Sequence, residues 1–141
     1  MPEFLIPLHP KMVHFPVALF MVALFFELLS LLFKKEAFHK IAVSIYVFAA
    51  LVTPLVVYTG LWEADRLRLH HPVLTQHKTF ALWTMWTALA SLPLLWFLRK
   101  KSVRSSGVFF LFLLIGLAVF VTITSYYGGE MVYEYGVGVN H

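Results

Sequence analysis

Long apolar blocks separated by short polar stretches dominate the chain, and four such blocks run over about residues 15–33, 41–62, 79–98 and 107–127. Each approaches the roughly 20 apolar residues with which an α-helix crosses the hydrocarbon core of a bilayer. In that solvent every backbone N–H and C=O needs a partner inside its own segment, which selects helices over open sheets. The expected fold is therefore all-α, a four-transmembrane-helix bundle forming a single membrane domain over residues 1–141. The stretch 128–141 is too polar and Gly-rich to span. Its Tyr133, Tyr135, Val137 and Val139 predict a tail that folds back over the bundle.

Composition narrows the class further. The chain is 60% hydrophobic and 13% charged, against about 25% charged for a soluble domain. No room remains for a soluble domain beside the helices. Cysteine is absent, which excludes disulfides, thiolate metal sites and thioether attachment of haem. The net charge of +4 does not point to nucleic acid, because the basic residues sit where a membrane protein keeps its anchors. The first 14 residues, with Pro2, Pro7, Pro10, Glu3 and one Lys, lack the make-up of a cleavable leader.

The loops give an expected orientation in the cell (inner) membrane. Lys34, Lys35, Lys40, Arg99, Lys100, Lys101 and Arg104 lie between blocks one and two or three and four, seven of the eleven basic residues. The opposite side has Lys11, Arg66, Arg68 and Lys78 together with five acids. The positive-inside rule then places both termini outside the cytoplasm.

The second half of the chain echoes the first, as two repeated helical hairpins would. His9-Pro10 is followed by His14 at the head of block one, and His71-Pro72 by His77 at the head of block three. The exits rhyme too, Tyr58-Thr59-Gly60 against Tyr126-Tyr127-Gly128. Two hairpins of the same polarity predict a pseudo-two-fold axis along the membrane normal. On this register His14 matches His77 and His9 matches His71.

Six of the seven histidines (His9, His14, His70, His71, His77 and His141) fall on the outer side, with His39 alone opposite. A single interfacial histidine is usually just solvated by headgroups; six on one face, two in matched repeat positions, favour ligation. A b-type haem needs two axial imidazoles between helices and no covalent link. His14 and His77 are the expected axial pair, with Phe15, Phe20, Phe80 and Trp83 to line the ring. His9 and His71 would serve a second haem or the propionates. The alternative is a copper or zinc site of histidines with Glu63 or Glu130, Met12 and Met131 being soft donors for copper. Glu27 is the one acid well inside an apolar block, and an intramembrane carboxylate raises a proton or quinone role. Its plain reading is snorkelling or pairing towards Lys34. The line Thr79, Thr84, Thr87 and Ser91 is read as helix-to-helix hydrogen bonding.

Several motifs together resemble a known family: His9-Pro10-x-x-Val13-His14-Phe15-Pro16-x-Ala18-Leu19, Thr59-Gly60, His77, Gly128-Gly129-Glu130-Met131-Val132-Tyr133 and Gly136-Val137-Gly138-Val139. With these residues the chain resembles, over nearly its whole length, the four-helix bacterial and archaeal membrane proteins grouped as domain of unknown function 2231. The resemblance implies the topology. Some relatives are fused to Rieske iron–sulfur or cytochrome-b5-like domains, which implies electron transfer by association only. The leading expectation is an integral membrane haem protein, with one b-type haem or two, passing electrons near the outer face. Its partners would be the lipid bilayer and separate membrane or periplasmic redox proteins, with quinone as a further candidate. More an electron-transfer subunit than a stand-alone enzyme is expected; copper or zinc binding or transport, and a cofactor-free structural subunit, are the alternatives.

Overall fold

A computed structural model of the chain describes residues 8–66, 68, 70–98 and 103–136. Every element among them is helical: α1 (Leu8–Met12), α2 (His14–Phe33), α3 (Glu36–Arg66), α4 (Pro72–Leu98) and α5 (Val103–Tyr133). Four stretches are long and apolar enough to cross a membrane: Leu8–Phe33, Glu36–Arg66, Pro72–Leu98 and Gly107–Tyr133. The helices outrun the apolar blocks at their ends. At 31 residues each, α3 and α5 extend about 45 Å, beyond a hydrocarbon core of about 30 Å. The segment Glu130–Tyr133, expected in the tail, is the last turn of α5.

Neither proline opens the first span cleanly. Pro16 lies buried inside α2 and has no N–H for the carbonyl of Met12, which its ring also crowds. The helix accordingly breaks after Met12 and restarts at His14. Pro54 and Pro93 lie inside α3 and α4, as the sequence implies. The α2–α3 connection is tight. Lys34 takes a left-handed conformation at φ 54° and returns its N–H to the Ser30 carbonyl, as does Lys35 at 3.2 Å. Both bonds fall on the one Ser30 carbonyl, which would otherwise be orphaned at the end of α2.

In the bundle α2 packs on α3 and α5, and α4 packs on α5 and α3, so α2 and α4 lie on a diagonal. Small residues make this closeness possible. Ala23, Ala42, Ala49, Ala50 and Ala88 are buried around Phe20, Tyr46, Phe110, Leu114 and Leu117. Close van der Waals approach of this kind is what drives helix association where lipid supplies no hydrophobic force. Ser44, Ala90 and Gly116 face outward instead. Tyr58, Trp62, Trp96 and Tyr126 are exposed near helix ends, where an aromatic belt belongs. Of the expected polar line in α4, Thr79 and Thr84 bond to their own helix, at the Thr75 and Phe80 carbonyls. Ser91 reaches another helix, bonding to the Tyr46 hydroxyl of α3.

Candidate functional site

The imidazoles that meet are those of His9 and His77. Their ring centroids stand 6.1 Å apart with the planes at 85°. The His9 Nδ1–H donates to the carbonyl of Val56 at 3.0 Å, and the His77 Nδ1–H donates to the carbonyl of Thr124 at 2.8 Å. A carbonyl can only accept, so the proton of each ring is on Nδ1 and the lone pair of each neutral imidazole is on Nε2. Metal-binding histidines are tied down in this way, the second nitrogen anchored to a carbonyl so that ring and tautomer are fixed.

Why these carbonyls face rings follows from two glycines. A Cβ on Gly60 would stand 2.6 Å from Cε1 of His9, and one on Gly128 would stand 3.3 Å from Cε1 of His77. Each imidazole rests on the bare backbone of a partner helix. The two halves are built alike: both anchoring bonds span 47 positions. His9 and His77, Val56 and Thr124, and Gly60 and Gly128 all lie 68 positions apart (9 to 77, 56 to 124, 60 to 128). Tyr58 and Tyr126 keep the same spacing and similar exposure, 68% and 67%.

This register corrects the expected one. His14, matched in the sequence to His77, opens α2 with an exposed side chain, and the residue facing His77 is His9. His-Pro led the matching astray. Pro10 is the third residue of α1, whereas Pro72 opens α4 five residues before His77. His71 accepts the Val73 N–H on its Nδ1 at 3.3 Å and stacks on Tyr135 at 4.4 Å. Its neutral ring therefore carries the proton on Nε2 and serves as a cap for α4. His70 is exposed, its Nδ1–H bonded to the Arg68 carbonyl at 2.8 Å. His141 lies outside the described residues. Phe15 and Trp83, expected to line a ring, point outward, and Phe20 is buried against Tyr46. Phe80 is nearer the imidazole end, stacked on Tyr127 at 5.9 Å. Among the described residues no group of three His, Cys, Asp or Glu side chains comes together as the shell of a metal ion. Glu63 and Glu130 are not gathered with the histidines into one.

At the other end of the bundle Glu27 is buried, and its Oε2 lies 2.8 Å from Nδ1 of His39. The expectation of pairing towards Lys34 is thus replaced by an imidazole partner from the next helix.

A family of membrane proteins described as predicted membrane protein (DUF2231) matches residues 5–141. The chain belongs to this family. No curated protein and no solved structure matches the chain. Of the motifs that carry the DUF2231 resemblance, His9, Gly60, His77 and Gly128 converge on one site, while His14 and Pro16 shape the first span. His39 went unnoticed as a partner because nothing in a linear pattern links it to Glu27. The available signal was that His39 and the single intramembrane acid fall on the same side of the membrane, flanking the shortest turn.

Proposed function

We propose that this DUF2231 protein is a membrane electron-transfer protein whose paired imidazoles, His9 and His77, hold one b-type haem by their Nε2 atoms. The observation that carries the reading is the twin anchoring of both Nδ1–H groups on neighbouring rings, which leaves the Nε2 lone pair of each neutral imidazole without a proton. With centroids 6.1 Å apart, one bound group would draw on both rings. Bound there, the haem would supply one-electron chemistry. The chain's own part is to fix both tautomers, hold the rings across the bundle and keep the site close to one membrane face. A bare copper or zinc ion at this place has weaker support, since the third donor such an ion normally takes is missing among the described residues. The loop charges support an orientation in the cell membrane with both termini, and hence the imidazole pair, outside the cytoplasm. Electrons would then pass to a separate redox protein or quinone.

The test is a visible spectrum of the protein expressed with haem supply and purified in detergent. A six-coordinate, low-spin spectrum is expected, lost in His9→Ala and in His77→Ala and kept in His14→Ala and His71→Ala. A low-spin spectrum retained at full occupancy in both His9→Ala and His77→Ala would sink the assignment.

A further inference from the structure

The imidazole pair leaves unexplained the polar cluster at the opposite end of the bundle. Glu27 is 0% exposed inside an apolar span. Its Oε2 is bonded to His39 Nδ1 at 2.8 Å, and its Oε1 has no hydrogen-bond partner among the described residues. Oε1 is pressed against α5, where a Cβ on Gly107 would stand 2.8 Å from it. The His39 ring sits edge-on to Phe110 at 5.8 Å and keeps 15% of its side chain exposed. The carboxyl group is sealed, and the ring is its contact with the outside. Other charges described at this end are turned away: Lys40 pairs with Glu36 at 3.0 Å on the surface, and Lys34 and Lys35 are exposed.

The second hairpin has no counterpart to this pair. At the positions 68 further on, Glu27 and His39 are replaced by Leu95 and Gly107, and the second hairpin forms without them. A buried carboxylate held by a hydrogen bond is commonly no more stabilising than apolar residues of similar volume. An unpartnered carboxylate oxygen makes it costlier still. A feature that is costly, absent from the matching hairpin and in touch with the molecular surface through one ring calls for a use.

We propose that Glu27 and His39 form a proton-exchange site, reached from the aqueous side of the Lys34–Lys40 turn. A hydrated proton binds Nε2 of the His39 ring, and the Nδ1 proton passes to Oε2 of Glu27. The ring is left neutral with its proton on the other nitrogen, and Glu27 becomes a neutral carboxylic acid. The pair goes from one negative charge to none, and release runs through the same steps in reverse. Imidazole is suited to this relay because its two nitrogens can accept and donate on opposite sides. The site does not depend on what His9 and His77 hold.

The test uses the full chain in lipid nanodiscs, with infrared difference spectra recorded after pH jumps in H2O and D2O. A carboxylic-acid carbonyl band that rises as pH falls, shifts in D2O and is absent in Glu27→Gln is expected. His39→Gln keeps an amide donor for Oε2 but cannot relay a proton, so the band should appear more slowly by on the order of a hundredfold. Should Glu27→Gln fail to fold, carboxyl-labelled glutamate in the wild type, compared with His39→Gln alone, carries the same test. No buried carboxylic-acid band in the wild type at any pH, or an unchanged rate in His39→Gln, would overturn the proposal.

Discussion

At the end of the bundle that carries His9 and His77, each half of the chain contributes the same three parts: an imidazole, a backbone carbonyl that anchors it, and a glycine beneath it. At the other end the buried polar pair among the described residues, Glu27 and His39, comes from the first half alone. Along α3, His39, Tyr46, Thr53 and Gly60 recur every seven positions and so share one face. The equivalent positions of α5 are Gly107, Leu114, Val121 and Gly128, none with a polar side chain. The difference separates two demands. A pair of identical ligands, as proposed for His9 and His77, would gain from two-fold repetition, because both rings would have to reach one place. A buried carboxylate gains nothing from a second copy, which would double the cost of taking charge out of water. Gly107 shows how the second half adapts, since at that position it makes room for Glu27 instead of copying His39.

Breaking each end in turn should expose this contrast, and the largest effect belongs to the unrepeated one. His39→Ala strands the carboxyl group of Glu27 in the bundle, and thermal unfolding in detergent should show a loss of about 3–5 kcal/mol. Restoring apolar character with Glu27→Leu in the same chain should recover most of that loss, because the second hairpin tolerates Leu95 at the matching place. A double variant no more stable than His39→Ala would count against the contrast.

Within the symmetric end the two glycines should differ in degree. Gly60→Ala drives a methyl to 2.6 Å from a ring held by a carbonyl, and overpacking of this kind costs about 1–3 kcal/mol. Occupancy of the proposed haem should fall with it. Gly128→Ala meets its ring at 3.3 Å, where a small shift suffices. The helix propensity gained over glycine, about 1 kcal/mol, should leave its stability nearly unchanged. Equal losses at the two positions would show that the rings are not seated as described.

Midway between the ends, Tyr46→Phe removes the hydroxyl that bonds Ser91 across α3 and α4. Ser91 keeps its bond to the Ala88 carbonyl at 2.8 Å, so the loss should be about 1 kcal/mol, with no change in any haem spectrum. The smallest change lies outside the bundle. Gly116 has open space where a Cβ would go, and Gly116→Ala should raise stability by somewhat under about 1 kcal/mol through propensity alone. A destabilised Gly116→Ala protein would mean that this outward face is covered by another chain.

The sequence by itself determined the class and the count of helices. Four apolar blocks nearly free of charge have one way to satisfy their backbone in lipid, and no packing detail alters it. It also determined that histidine chemistry collects at one end, and that Glu27 is costly wherever its partner lies. Which histidines meet was decided only by the tertiary structure. In the linear chain His-Pro pairs at 9 and 71 are the conspicuous match, yet the break imposed by Pro16 and the length of α4 set the depth of each ring. The true register of 68 depends on bonds from one helix to the carbonyls of the next, such as His9 to Val56 and His77 to Thr124. Likewise the Glu27–His39 pair exists because a left-handed Lys34 turns the chain back within two residues. Periodicity tells which face of a helix is buried, but not what the neighbouring helix offers there, since contacts between helices depend on relative depth and rotation that no single segment encodes.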